Sequence, residues 1–194
     1  MIGTPIRLGI VAAVLAACGA AHPPPVATQS TSAPAPRLPG RVVWTDGHGD
    51  IAVAAAGQAH CPAVSPSEAQ VALAQTNATR AQQGLPPLVT DPTLQRVAEQ
   101  HACDMANRGA MTHLGTKTTG PMARAKQEGY RPRIIAENIA AGRFGLDRTL
   151  AEWSASPGHR ANIMIGQMRE FGIGYAVAAD GKTMFWTAVY ANPR

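Results

Sequence analysis

The stretch that most constrains this chain runs from Leu150 to Ile163. A short helical pattern carrying Leu150 and Trp153 meets Ser156-Pro157-Gly158. The residue before a proline disfavours helical backbone, and Pro-Gly is a turn signal, so the pattern predicts that the helix ends there. His159 follows directly, so we expect its side chain at the mouth of a turn, where it can face a cleft.

Two longer helices are predicted upstream. Ser65-Pro66-Ser67-Glu68 has a capping Ser and a Pro in the first turn, and the helix that it opens ends by Gly84. Asp91-Pro92 opens the second helix, which ends near Arg108-Gly109. His101 lies on the apolar stripe of this second helix, which is typical of a hydrogen-bonded core histidine rather than a ligand.

The second half of the chain is predicted to mix a short helix with strands. Residues 121–128 form the helix candidate, and Ile134-Ile135 reads as a short strand that ends before Glu137. Residues 171–177 and 183–190 are β-rich and flank Asp180-Gly181, a strong hairpin signal. Helices first and an antiparallel hairpin last indicate an α+β fold.

The N-terminal segment has the anatomy of an export signal. Residues 1–17 have one basic residue and then a short apolar run, which is typical of a signal peptide. Leu15-Ala16-Ala17-Cys18 resembles a bacterial lipobox, so we expect a lipidated Cys18 and a membrane anchor. The alternative is ordinary secretion after cleavage at small residues. Residues 18–40 carry that cysteine and a Pro-rich tether.

The globular domain is expected to span residues 61–194, a size that fits one domain. Residues 41–60 are an extension of uncertain role, in which residues 41–44 favour a strand. The Asp/His/Gly cluster at 46–50 is interpreted as a loop, since its spacing matches no metal site.

Cysteine usage favours one disulfide. With Cys18 lipidated, Cys61 and Cys103 remain, an even pair in an exported chain. Their bridge would contribute about 3–4 kcal/mol by the chain-entropy relation. The alternative is two buried thiols. The chain has 17 basic and 12 acidic residues without a dense basic stripe, so it lacks the pattern of a nucleic-acid-binding protein.

From about Ser67 to Tyr190 the chain resembles the CAP superfamily of cysteine-rich secretory, antigen 5 and pathogenesis-related 1 proteins, in its bacterial form. The resemblance implies an α-β-α sandwich with a central, mainly antiparallel sheet and a large cleft. The matching pieces are Asn77-Ala78-Thr79-Arg80, Leu88 with Leu94 and Ala98, His113, Ala136-Glu137-Asn138-Ile139-Ala140, Trp153, Ser156-Pro157-Gly158-His159-Arg160-Ala161-Asn162-Ile163 and Gly172-Ile173-Gly174.

The family cleft carries two histidines and two glutamates, and some members bind zinc or another divalent ion there. His113, Glu137 and His159 match three of these positions, while Ser156 stands at the fourth. The resemblance thus implies a cleft at these four residues, with His113 and His159 as metal ligands and Glu137 as the candidate catalytic group. The alternative is a polar cleft in which Glu137 orients a histidine by a hydrogen bond and no metal is retained. Ser156 is interpreted as a helix end and not as a nucleophile.

Two classes of function follow. In the first, the chain is a monomeric extracytoplasmic binding protein whose cleft holds a lipid, peptide or cell-wall ligand, with an ion as an accessory. In the second, it is a metal-dependent peptidase or esterase that uses Glu137 beside a metal-bound water. The missing second carboxylate favours the first class.

Overall fold

The structure is a computed structural model that describes the backbone of residues 42–45 and all of residues 50–194. The described residues fall in one compact unit. The predicted signal peptide, Cys18, the tether and residues 46–49 lie outside the described part. Among the helices that are described, none combines the length and the apolar composition needed to cross a membrane.

Helices and strands alternate irregularly along the described chain. The helices are α1 (Pro66–Ala81), α2 (Pro92–Arg108), α3 (Pro121–Gln127), α4 (Leu146–Ala155) and α5 (Pro157–Ile163). The strands are β1 (Val42–Thr45), β2 (Ile51–Ala52), β3 (Val89–Thr90), β4 (Ala110–Met111), β5 (Pro132–Gly142), β6 (Glu170–Val177) and β7 (Met184–Pro193).

The capping residues set the ends of the two long helices. The Ser65 hydroxyl accepts from the Glu68 amide, and the Glu68 carboxylate accepts from the Ser65 amide, which makes a capping box. The Asp91 carboxylate accepts from the first amides of α2 at 2.9 and 2.8 Å. Gly109 ends α2 in the left-handed conformation, with φ 66°. The starts of α1 and α2 and the end of α2 therefore lie where the sequence predicted them.

The main sheet has the strand order β1-β5-β7-β6-β3. The three central strands pair antiparallel, and β1 and β3 add parallel edges. The predicted hairpin is confirmed as β6 and β7, and the Asp180 carboxylate accepts from the Lys182 and Thr183 amides in its turn. A second, two-stranded sheet pairs β2 with β4.

Two parts of the sheet differ from the sequence-based expectations. The strand predicted at Ile134-Ile135 extends to Gly142, because β7 pairs with it over its whole length. Glu137 therefore lies in the middle of a strand and not after its end. Residues 42–45 pair with β5 and residues 51–52 with β4, so these parts of the 41–60 extension are built into the sheets.

Helices cover both faces of the main sheet. Helices α2 and α3 pack on one face, where Leu94, Val97 and Ala125 meet Ile135 and Val189. Helices α1, α4 and α5 pack on the other. Their core comprises Ala72, Leu73, Leu150, Trp153 and Ile163 against Ala136, Phe171, Ile173, Trp186, Ala188 and Tyr190. The arrangement confirms the predicted α-β-α sandwich.

Two glycines of β6 allow α2 to lie directly on the sheet. A Cβ atom at Gly172 would lie 2.2 Å from the Leu94 carbonyl carbon, and one at Gly174 would lie 2.3 Å from the Glu99 nitrogen. Both contacts are with helix backbone, which cannot move aside cheaply. The glycines that carried part of the family resemblance therefore have a packing role.

We expect Gly172→Ala to lower the free energy of unfolding by about 3 kcal/mol, because it forces α2 away from the sheet. Urea denaturation measures the effect. Gly166→Ala is the matched control, since within the described part of the chain its Cβ would meet a single side chain, that of Leu85 at 3.5 Å. Equal stability losses in the two variants would contradict the packing role.

The predicted disulfide is confirmed. Cys61 and Cys103 are bonded, with their Cα atoms 5.4 Å apart. The bridge joins the segment before α1 to the middle of α2. The same segment is held a second time by main-chain hydrogen bonds between His60 and Val177, both at 2.8 Å.

Candidate functional site

Strand β5 presents Glu137 to the α2 and α3 side of the sheet. Successive side chains of a strand alternate between faces, and Ile135 and Ile139 on either side pack in the cores below α2 and α3. Glu137 has no exposed surface. The carboxylate is thus enclosed in the layer between sheet and helices, whereas the sequence suggested that it would line an open cleft.

Arg124 neutralises this buried carboxylate. It projects from α3, and its Nη2 atom donates to both carboxylate oxygens of Glu137, at 2.7 and 2.5 Å. Its Nη1 atom donates to the His113 carbonyl oxygen at 3.0 Å. The Arg124 side chain is itself only 8% exposed. A buried, hydrogen-bonded ion pair therefore lies at the centre of the site.

Two histidines complete the surroundings of the carboxylate. His113 Nδ1 lies 2.9 Å from Glu137 Oε1, and because a carboxylate accepts, this nitrogen is the donor. His101 Nε2 lies 3.6 Å from the same oxygen and donates to the Thr112 carbonyl oxygen at 2.9 Å. His101 is fully buried and hydrogen-bonded, as predicted for a core histidine.

These contacts set the charge states. Burial alone would raise the pKa of the Glu137 carboxyl, but the charge of Arg124, followed by His101 and His113, outweighs burial and holds the pKa at about 2. Burial lowers the pKa of His101 to about 4, against the opposing attraction of Glu137. At neutral pH the site therefore contains an ionised carboxylate, a guanidinium and a neutral His101.

His101 should make the fold acid-sensitive. The unfolded chain takes up a proton near the ordinary pKa of about 6.5, and the folded chain only near pH 4. Stability is therefore complete above pH 6.5 and falls as the pH drops toward 4, by about 1 kcal/mol per unit at the steepest. We expect His101→Gln to flatten this slope in urea titrations between pH 7 and 5. The exposed His60→Gln is the control, and equal slopes in both variants would count against the assignment.

The carboxylate does not fit a metal-binding role. Arg124 and His113 occupy its oxygens, and the adjacent guanidinium repels a cation. Within residues 50–194, no group of three or more His, Cys, Asp or Glu side chains is arranged to hold an ion. A divalent ion would have to rely on His113 and His159, and two imidazoles are fewer than the three protein ligands of catalytic zinc sites.

His159 lies in a helix and not at a turn, which corrects the sequence-based interpretation. Pro157 is the first residue of α5, a position where proline is favourable, so the chain starts a new helix directly after Ser156. The His159 carbonyl oxygen accepts from the Asn138 amide at 3.1 Å, and its ring centroid lies 6.3 Å from that of Trp153. Convergence of its imidazole with His113 and Glu137 stays a prediction.

Two side chains bind α4 and α5 to β5 beside the site. The Asn162 amide donates to the Glu137 carbonyl oxygen at 3.1 Å, and the Trp153 indole donates to the Ile139 carbonyl oxygen at 3.2 Å. Carbonyl groups two residues apart point to the same side of a strand. Side chains of α4 and α5 therefore hydrogen-bond to main-chain carbonyl groups along one edge of β5. These carbonyl groups lie near the point where β1, which pairs with the same strand, ends at Thr45.

Several predicted and unpredicted residues can now be assigned. Ser156 ends α4, as expected, and stands between the two helices. Ser154 contacts the Thr79 hydroxyl at 3.3 Å. Sequence reasoning missed Arg124, because its only signal was a basic side chain inside an otherwise ordinary helix. Asn138 and Asn162 belong to the pieces that match the family, but the sequence assigned them no role.

Comparison with known proteins identifies the fold. The sequence pattern of the cysteine-rich secretory protein family (CAP) matches residues 73–190, more than half of the chain. The uncharacterized protein YkwD of Bacillus subtilis is 32% identical over 112 residues, which are 58% of this chain and 42% of that protein. The match thus spans less than half of the length of that relative.

Solved structures agree. An extracellular protein with an SCP domain from Bacillus anthracis superposes with a TM-score of 0.58 at 26% identity, covering 66% of this chain and 44% of that one. An outer surface protein from Borrelia burgdorferi has the same fold, with a TM-score of 0.58 at 21% identity over 66% of this chain and 95% of that one. The chain belongs to the cysteine-rich secretory protein (CAP) family.

Proposed function

We propose that this chain is an extracytoplasmic, monomeric binding protein, anchored through a lipidated Cys18. Its cleft at His113 and His159 holds a lipid, peptide or cell-wall ligand. The observation that carries the proposal is the ion pair of Glu137 with Arg124, because it removes the one carboxylate that catalysis at this site would need.

A general base works best when its pKa lies near the working pH. The pKa of Glu137 is about 2, and both of its oxygens already accept from neighbouring side chains. It also has no exposed surface through which to reach an attacking water. The metal-dependent hydrolase is therefore the weaker alternative.

The location outside the cytoplasm rests on three supports. The Cys61–Cys103 disulfide is typical of oxidising compartments. The N-terminal sequence has the pattern of an export signal. The two bacterial proteins of the same fold are described as an extracellular protein and an outer surface protein.

One paired assay separates the two functions. Full-length protein carrying Cys18→Ser, which removes the proposed anchor, is incubated with peptide, ester and phospholipid substrates, with and without zinc, and is sedimented with purified peptidoglycan and with phospholipid vesicles. We expect sedimentation with one of these partners and no turnover above the zinc blank. Sedimentation should weaken in His113→Ala, whose wild-type side chain is 11% exposed.

Glu152→Ala is the control variant, because Glu152 is exposed and, among the residues that the structure describes, pairs with Arg148 on the same helix. Zinc-dependent turnover that is lost in His113→Ala but kept in Glu152→Ala would establish the hydrolase. Absence of sedimentation with both partners would refute the binding proposal.

The anchor is tested separately. Because Leu15-Ala16-Ala17-Cys18 has the lipobox pattern, Cys18→Ser should lose incorporation of a radiolabelled fatty acid and leave the membrane fraction of a bacterial host. Cys61→Ser is the matched control, since it removes a different cysteine and should keep the label. Label retained by Cys18→Ser would exclude lipidation at this position.

A further inference from the structure

One end of the main sheet carries a cluster of basic side chains. At this end β5 begins beside the start of β1 and the end of β7, and β6 begins beside the end of β7. The Arg194 amide donates to the Arg131 carbonyl oxygen at 3.1 Å, which brings the main chains of these two arginines together. The exposed cations of this basic end are Lys126, Arg131, Arg133, Arg169 and Arg194.

The cations of the basic end keep their charge available. Among the described residues, the side chains of Lys126, Arg131, Arg133 and Arg194 form no ion pair with an acidic side chain. Arg169 donates to the carbonyl oxygens of Gly166 and Met168, which are neutral acceptors.

The neighbouring carboxylates are already engaged. Glu128 pairs with Arg96, which leaves no net charge from that pair. Glu170 accepts from the Tyr130 hydroxyl, and Asp91 caps the amides of α2. Five cations therefore stand against two carboxylates, and the basic end is positively charged.

A pocket of about 310 Å³ opens within the basic end. Three of its lining residues are cations, and none of those in the described part of the chain is acidic. The lining residues are Lys126, Gly129, Tyr130, Arg131, Pro132 and Arg194. At about 30 Å³ for each water, the volume equals roughly ten waters, which is ample for one phosphate group. Lysine and arginine are the side chains that bind phosphate oxygens most strongly.

The chain that precedes the domain joins it at the same end. Strand β1 runs parallel to β5, with Val42 beside Ile134, so the polypeptide enters β1 from the basic end. Residues 18–41, if fully extended, span at most about 80 Å. A lipid on Cys18 would therefore keep the domain near the membrane and hold it by its basic end.

We propose that the basic end docks on a bilayer of anionic phospholipid, with a headgroup phosphate in the pocket between Lys126, Arg131 and Arg194. The negative surface of such a bilayer attracts basic residues at short range. This surface is separate from the cleft, since neither His113 nor His159 lines the pocket. The proposal rests on the proposed function in one respect, because the Cys18 anchor brings the domain to the lipid.

Vesicle sedimentation tests the docking surface without the anchor. Full-length protein carrying Cys18→Ser is mixed with vesicles of phosphatidylcholine, either pure or with phosphatidylglycerol as a major component, at ~0.1 M salt. We expect sedimentation with the vesicles that contain phosphatidylglycerol and little with pure phosphatidylcholine. At ~1 M salt, where the Debye length is about 3 Å, the protein should be released.

Two double variants of equal charge locate the surface. Lys126→Gln with Arg131→Gln should lower the partition coefficient about thirtyfold, since each basic residue near the bilayer contributes about a factor of five. Arg143→Gln with Lys182→Gln removes one Arg and one Lys, both exposed, from the opposite end of the sheet, where β5 ends and β7 begins. That end lies about 30 Å away, so this variant should bind as the parent does.

Three results would overturn the proposal. The first is equal sedimentation with both kinds of vesicle, and the second is an equal loss in the two double variants. The third is sedimentation with purified peptidoglycan but not with vesicles, which would make a wall polymer the occupant.

The outcome is distinguishable from a failure of the proposed function. Every protein in the test lacks Cys18, so an error about the anchor leaves the vesicle results unchanged. Vesicle binding that is lost in His113→Ala but kept in Lys126→Gln with Arg131→Gln would assign lipid capture to the cleft and refute docking through the basic end.

Discussion

Arg124→Met is expected to lower the free energy of unfolding by about 3–5 kcal/mol at pH 7. The substitution keeps most of the side-chain volume but leaves the Glu137 carboxylate buried, charged and without its strongest partner. Removing one partner of a buried pair costs far more than the pair itself contributes, because the remaining charge stays desolvated. Urea denaturation monitored by tryptophan fluorescence measures the loss.

A double-mutant cycle tests the explanation. Adding Glu137→Gln to Arg124→Met removes the stranded charge and should restore a large part of the lost stability. Arg96→Met is the matched control, because Arg96 pairs with Glu128 at 3.3 Å while its side chain is 50% exposed. Exposed pairs contribute only about 0–1 kcal/mol. Similar losses in Arg124→Met and Arg96→Met would contradict a structural role for the buried pair.

The structural features that depend on contacts within a few residues were predicted correctly from the sequence. The Ser65 capping box, the Asp91 cap and the Asp180-Gly181 turn each depend on contacts that span about three residues. Such contacts are determined by the residue types within the segment itself and depend little on the rest of the fold. The helix starts and the hairpin followed from them.

Pairing between distant segments was not predictable in the same way. The length of β5 is set by β7, about fifty residues later in the chain, so its local sequence indicated only the start of the strand. The break at Ser156-Pro157 was correctly located, but proline is compatible both with a turn and with the first position of a helix. The structure has the helix, and His159 moves into α5 as a result.

The ion pair at the centre of the site is the clearest example of a contact between distant segments that the sequence did not predict. His113 and Glu137 were found through the family resemblance, and the structure brings them together. Arg124 lies 13 residues before Glu137 on a separate helix, where a basic residue usually faces solvent. Only the packing of α3 against β5 turns it inward. The sequence therefore identified the acidic and imidazole groups but not the cation that determines their chemistry.

Replacing both Cys61 and Cys103 by Ser is expected to lower the free energy of unfolding by about 4 kcal/mol, because the bridge closes a loop between residues 42 apart. The loop contains α1, β3 and most of α2, so the unfolded chain regains much conformational freedom without the bridge. Urea denaturation of the oxidised wild type and the double variant gives the difference. Reduction with dithiothreitol should bring the wild type close to the variant and leave the variant unchanged.

The loss of stability in the double cysteine variant also shows whether the segment before α1 depends on the disulfide or on its hydrogen bonds. The His60 and Val177 hydrogen bonds, together with one from the Val64 amide to Glu99, remain when the disulfide is removed. If these contacts keep the folded state intact, the whole effect arises in the unfolded chain, and the double variant keeps the wild-type near-ultraviolet spectrum. A loss well under 1 kcal/mol would contradict the entropic account. A loss accompanied by a changed spectrum would instead show that the bridge holds this segment against α2.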